Sequence, residues 1–186
     1  MTRRRPRGFT LVELMVVVVI VGVLAALGVA GLRSYVIRSR AAEATAMIQA
    51  IRAAQERFRS ESGAYLDVSA DQNDWWPRRS QLDGTLVSFR VAAPDATGRR
   101  WELLAVQAPG QGVRFVYTTR AGPPGVAIGT TAPMANPAAA GAFSTSVLAN
   151  QNWYVIEARG DADGDGDEVF LSAASFNALV VTGGSD

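Results

Sequence analysis

The hydrophobic and polar positions divide the chain into three stretches of different character. Residues 9–32 form an apolar run whose single charged residue, Glu13, lies near the start. Residues 33–62 contain no Pro or Gly, and their apolar positions recur at helical spacing. These positions are Ile37, Ala41, Ala44, Met47, Ile48, Ile51 and Phe58. After Gly63 the pattern changes to short alternating runs separated by turn residues, which indicates strands.

The first two stretches predict one long helix. At about 1.5 Å of rise per residue, residues 9–32 extend roughly 36 Å, which exceeds the ~30 Å hydrocarbon core of a bilayer. We therefore predict that residues 9–32 are the transmembrane half of the helix and residues 33–62 its amphipathic half. Gly63 is expected to end the helix. Gly28 and Gly31 mark the place where the membrane half could bend, and the sequence leaves that bend open.

Residues 63–186 are predicted to form an antiparallel β-sheet domain. Residues 66–84 are polar and irregular, and the Trp75–Trp76 pair among them is expected to cover the core, with a sticky surface as the alternative. Residues 122–151 are rich in Ala, Gly, Pro and Thr and are expected to form a long surface excursion. The strand candidates are Thr85–Ala92, Arg99–Ala108, Val113–Thr119, Trp153–Ala158, Val169–Ser172 and Leu179–Thr182.

Composition and charge exclude several classes of function. The chain has no histidine and no cysteine, so a His-based triad or metal site and a disulfide are absent. Four of the 18 basic residues, all of them arginine, precede Phe9, which leaves 14 against 17 acidic residues and a net charge of about −3 from Phe9 onward. The basic tip is typical of a positive-inside membrane anchor. Since no basic or aromatic patch accompanies it, we expect no nucleic-acid binding.

The string Gly8-Phe9-Thr10-Leu11-Val12-Glu13, followed by the long apolar run, resembles the N-terminus of type IV prepilins and pseudopilins. The resemblance implies an α+β pilin fold, in which a long N-terminal helix packs on a C-terminal antiparallel sheet. It also implies that residues 1–8 are a leader, that a prepilin peptidase cuts between Gly8 and Phe9, and that the new Phe9 amine is methylated. Glu13 would then neutralise the terminal amine of a neighbouring subunit. Many pilins carry a proline where this chain has Ala30.

Two simpler interpretations of the N-terminus stay open. A conventional secretory signal would be cleaved near Ala26 or Ala30, but its apolar region is usually about 7–15 residues long and carries no Glu. A plain single-span anchor explains the apolar run alone. The alanines on the other side of the second helical half, Ala42, Ala46, Ala50 and Ala53, fit either a solvated face or the close approach of a neighbouring helix.

A second chemical signal is the acidic stretch from Asp161 to Glu168, which lies between two strand candidates. Alternating aspartates and glycines match the first half of a calcium loop, but position 12 of that pattern is Ser172 and no helices flank it. The stretch therefore predicts either a calcium site or a solvated acidic turn without metal. Its calcium ligands would be Asp161, Asp163, Asp165 and Asp167.

These features favour a structural subunit of a type IV pilus-like filament, which serves motility, adhesion or export and forms a homo-oligomer or a co-polymer with other pilins. We expect the protein to be a single-pass protein of the inner membrane first and part of an extracellular or periplasmic filament afterwards. The alternatives are a pseudopilin of a type II secretion system and a membrane-tethered calcium-binding or adhesive module that does not polymerise. No nucleophile–base pair or phosphate loop indicates an enzyme.

Overall fold

A computed structural model of the chain describes residues 8–71, 73–78, 82–89, 95–127, 136, 139, 143, 150–162, 164 and 166–184. Its elements in chain order are helix α1 (Leu11–Ser62), helix α2 (Ala96–Leu104) and four strands. The strands are β1 (Val116–Gly122), β2 (Trp153–Asp161), β3 (Glu168–Ala174) and β4 (Asn177–Gly184). They form one antiparallel sheet in the order β1-β2-β3-β4. The predicted α+β pilin architecture is confirmed.

The chain divides into two compact units, Met1–Arg38 and Ser39–Asp186. In the described part of the first unit, the helical stretch Leu11–Val29 is long and apolar enough to span a membrane, and none of it is buried. At the other end of α1, Gly63 adopts a φ of 84°, which L-residues rarely tolerate, and its N–H donates to the carbonyl of Arg59 at 2.8 Å. The predicted helix end at Gly63 is confirmed.

The second unit has its core between α1 and the sheet. Ala44, Met47, Ile48 and Ile51 of the predicted stripe have no exposed surface. On the sheet, Thr119 of β1 pairs with Ile156 of β2, and cross-strand partners share a face. Since Gln55 of α1 donates to the hydroxyl of Thr119 at 3.2 Å, that face is the one that α1 covers.

The opposite face of the sheet is also covered, and this corrects the prediction of a surface excursion. Ala139 and Phe143, two of the described residues in that segment, pack with Trp153 and Val155 of β2. The backbone N–H of Asn136 donates to the buried carboxylate of Glu157 at 3.1 Å. The other excursion residues of 128–149 lie outside the described residues. Because both faces are covered, β2 is buried along nearly its whole length.

Three arginines of α1 connect the helix to the ends of other elements through backbone carbonyls. Arg40 donates to Ala162 at 2.8 Å, after β2. Arg52 donates to Asn177 at 2.7 Å and to two further carbonyls at the β3–β4 turn. Arg57 donates to Leu104 and Ala105 at 2.8 and 3.0 Å, where α2 ends. These bonds give carbonyls at the ends of other elements a charged side-chain donor, and so fix α1 to those elements.

One strand prediction is wrong, a second is realised only as an isolated bridge within its described residues, and four are confirmed in position. The predicted strand at Arg99–Ala108 is largely helix α2, because the Asp95 carboxylate caps the helix by accepting from the N–H of Gly98 at 2.7 Å. Trp101 and Leu104 then fall on one buried face. The predicted strand at Thr85–Ala92 forms only an isolated bridge between Val87 and Val113, and residues 90–92 lie outside the described part.

The two tryptophans of the Trp75–Trp76 pair differ in burial, and only one of them covers the core. Trp76 is 2% exposed, and its indole N–H donates to the carbonyl of Phe89 at 3.0 Å, so it covers the core as predicted. Trp75 is half-buried and lies beside the guanidinium of Arg159. Ala42, Ala46 and Ala53 of α1 are exposed, and Ala50 is half-buried, as both a solvated face and a face that a neighbouring helix approaches would require.

Candidate functional site

The predicted processing point lies at an exposed and uncrowded part of the chain. Gly8 precedes α1, and a Cβ built on it would meet no atom within 4 Å. Phe9 is 78% exposed. Nothing in the described part of this fold therefore demands glycine at position 8.

Glu13 lies in the first turn of α1 and forms a reciprocal cap with Thr10. Its Oε2 accepts from the backbone N–H of Thr10 at 2.9 Å and from the Thr10 hydroxyl at 2.8 Å. In return, the Thr10 hydroxyl accepts from the N–H of Glu13 at 3.2 Å. This is a capping box, and a carboxylate at this end also complements the helix dipole. Sequence analysis missed the capping role of Thr10, although Thr followed three residues later by Glu is the known sequence signature of a capping box.

The acidic stretch forms the loop of the β2–β3 hairpin, as its position between two strand candidates indicated. Asp161 ends β2 and is 4% exposed. Its two carboxylate oxygens accept from the N–H groups of Gly164 and Gly166 at 2.6 and 3.0 Å. Both glycines have positive φ, 84° and 99°, which aims their N–H groups back at the carboxylate.

The remaining predicted calcium ligands are placed only in part. Asp167 is exposed at the end of the loop, whereas Asp163 and Asp165 lie outside the described residues. Across the residues that are described, no three acidic side chains converge in a way that could hold a metal ion. Asp161 instead organises the loop through backbone donors, so its carboxylate has a structural role of its own. Calcium binding at this loop stays a prediction.

An ionic cluster anchors the segment before α2. Asp74 accepts from the N–H of Ala70 and the hydroxyl of Thr97, both at 2.6 Å, and pairs with Arg78. Burial raises the pKa of Asp74, but these hydrogen bonds and the Arg78 charge outweigh it and hold the pKa below its usual value. Arg78 also pairs with Asp95 at 2.8 Å, which is the cap of α2. The cluster therefore has a structural role, since it joins the segment before α2 to the start of that helix.

Comparison with known proteins identifies a family motif at the N-terminus and several relatives. Residues 3–29 match the prokaryotic N-terminal methylation motif, a range that includes Gly8, Phe9 and Glu13. The chain is 45% identical over 113 residues to the type II secretion system core protein G of Pseudomonas aeruginosa, covering 56% of this chain and 78% of that protein. No solved structure matches the chain.

The similarity to pilins covers a smaller share of the relative's length than the similarity to core protein G does. The type IV major pilin protein PilA of Myxococcus xanthus is 40% identical over 106 residues, which are 57% of this chain and 47% of PilA. A fimbrial protein of Dichelobacter nodosus is 33% identical over 99 residues, 50% of this chain and 62% of that protein. The chain thus spans about half the length of PilA. On this evidence the chain belongs to the type IV pilin and pseudopilin family.

Proposed function

We propose that the protein is a structural subunit of a type IV pilus-like filament that is assembled from the inner membrane. The observation that carries this proposal is the wholly exposed apolar stretch Leu11–Val29 in the same chain as a well-packed β-domain. Such a stretch requires lipid or other apolar helices around it. A single-pass anchor supplies lipid before assembly, and neighbouring copies supply helices in the filament.

In this proposal the prepilin peptidase cuts between Gly8 and Phe9 and the Phe9 amine is methylated. Glu13 then pairs with the terminal amine of a neighbouring copy. The capping geometry allows Glu13 to cap its own helix and to pair with a neighbouring copy at the same time. Its Oε2 accepts both bonds from Thr10, and within the described residues its Oε1 accepts no bond. One oxygen can therefore hold the cap while the other meets a second copy. In an apolar helix bundle each charge is costly unless it is paired.

Mass spectrometry of the protein from its native membrane tests the processing step. We expect a mature chain that begins at Phe9 with a methylated amine. An intact leader in cells that contain the peptidase, or cleavage near Ala26 or Ala30, would contradict the proposal and favour a plain anchor or a secretory signal.

A charge-neutral variant tests assembly. Glu13→Gln keeps an oxygen that can accept from Thr10 but removes the negative charge, so we expect normal insertion and a sharp loss of filaments in sheared fractions. The control Thr10→Ser keeps the capping hydroxyl and should assemble normally. Full filament yield from Glu13→Gln would favour a tether that does not polymerise.

A pseudopilin of a type II secretion system is the second candidate. The similarity to the core protein G of Pseudomonas aeruginosa, of which the chain covers 78%, favours it. The two candidates differ in what a deletion strain loses. Loss of surface filaments with normal protein secretion indicates a pilus, whereas retention of exported proteins in the periplasm indicates a pseudopilus.

A further inference from the structure

The sheet has two edges, and within the described residues main-chain pairing protects only the β1 edge. At the β1 edge, Val68 and Ser69 both donate to the carbonyl of Thr119, at 3.3 and 3.1 Å. Trp76 and Tyr117 exchange both backbone bonds, at 2.9 and 2.6 Å. The carboxylate of Asp67 accepts from the N–H of Ala121 at 3.0 Å. A strand edge covered in this way offers little to another strand.

In the part of the chain that the structure describes, no backbone bond joins the β4 edge to any segment other than β3. The carbonyls of Asn177 and Ala178 accept bonds from Arg52, and that of Val181 accepts a bond from the Asn136 side chain, so no other main chain competes for this edge there. β4 contains no charged residue and no proline, which are the usual means of blunting an edge. Leu179 on it is 71% exposed. The register shift between Ser172 and Ala174 lies beside the turn, and Val181–Gly184 pairs regularly with β3 beyond it.

We propose that the β4 edge pairs with β4 of a second copy of this chain, and that this contact joins neighbouring filaments. The inference rests on the proposed function. The unpaired N–H and C=O groups of an edge require an extended strand as their partner, and an antiparallel edge is complementary to itself. The proposal places β4 on the outside of the filament, where it recurs many times along the length, so that multivalency strengthens a weak contact between single strands.

Charge and symmetry support this choice of partner. From Phe9 onward the chain carries a net charge of about −3, so copies repel one another in general, and the uncharged β4 is a place where two can approach. Pairing of β4 with itself is an isologous contact with a two-fold axis. A filament whose subunits all point the same way has no such axis between them. The contact must therefore join subunits of different filaments.

A cysteine scan tests the contact directly, because the natural chain has no cysteine. Each position from Ala178 to Gly184 is replaced in turn by cysteine in the intact chain, and sheared filaments are treated with a mild oxidant. Paired strands bring opposite Cα atoms within about 4.5–5.5 Å, inside the range of a disulfide. We expect dimers to peak at one position, the two-fold axis, and to fall away on both sides. The exposed Gln151→Cys is the matched control and should give none.

A charge on the edge gives the second readout. Thr182→Lys places a like charge on both strands, and we expect single filaments in place of bundles by electron microscopy, with the sheared filament yield unchanged. The control Gln151→Lys should leave the bundles intact. Normal filaments without cross-linked dimers, or dimers of equal yield at every position and at Gln151, would overturn the β4 contact alone. Absence of filaments from the natural chain would overturn the proposed function and this contact together.

Discussion

The glycine at position 160 is a point where we expect one added methyl group to be costly. Gly160 lies in β2, and a Cβ built on it would lie 2.6 Å from Cδ1, 2.9 Å from Cγ and 3.1 Å from Cε1 of Phe115. Ordinary carbon–carbon contacts are about 3.5–4.0 Å, so the ring would have to retreat by roughly 1 Å. Phe115 has no exposed surface, so its ring has nowhere to move without displacing other core side chains.

The size of the effect follows from two opposing terms. Overpacking a core costs about 1–3 kcal/mol, whereas replacing Gly by Ala within a strand returns about 0.5–1 kcal/mol of conformational entropy. Taken at mid-range, these two terms mean that Gly160→Ala lowers the free energy of unfolding by about 1 kcal/mol. For a domain of this size each kcal/mol shifts the melting temperature by about 2–4 °C. The expected fall is therefore about 2–4 °C.

The assay is thermal unfolding of the intact chain in detergent, followed by near-ultraviolet circular dichroism. Gly184→Ala is the matched control, since a Cβ on this strand glycine would meet its nearest atom at an ordinary 3.6 Å. That variant should melt at the wild-type temperature or slightly above it. Adding Phe115→Leu to Gly160→Ala should cost less than the sum of the two single changes, because the smaller side chain relieves the clash. Equal melting of the Gly160 and Gly184 variants would refute the packing argument.

Three further predictions concern the β-domain. Ala105→Gly should raise the melting temperature by about 2–4 °C, because Ala105 has a φ of 52° and glycine removes roughly 1 kcal/mol of strain; a lower value would contradict this. Asp74, whose pKa is lowered in the folded state, stabilises the domain above its ordinary pKa of about 3.9 and loses that contribution as the pH falls further. The stability gap between wild type and Asp74→Asn should thus be widest near neutral pH and shrink below about pH 4 in acid titrations. If the hairpin loop binds calcium, a hundredfold excess over Kd should add about 2.7 kcal/mol, and Asp163→Ala with Asp165→Ala should abolish that gain; equal melting in calcium and in chelator indicates an acidic turn without metal.

Much of this fold could be predicted from hydrophobic spacing alone. The buried stripe of α1, its end at Gly63 and the positions of β1 to β4 follow from local patterns, since a 3.6-residue or two-residue period selects one buried face directly. The Gly8-to-Glu13 string identified the family for the same reason: its chemistry is contiguous along the chain. The Thr10–Glu13 cap is equally local and could have been predicted.

Only the tertiary structure decided the features that join distant segments. α2 replaced a predicted strand because Asp95 caps it and Trp101 and Leu104 find a core to enter. Ala139 and Phe143 of the excursion are buried because they pack with Trp153 and Val155 on the outer sheet face. The carboxylate of Asp161 is directed at two backbone N–H groups of its own loop. Each outcome depends on a partner that is distant in sequence or on a loop conformation, and local periodicity carries no information about either.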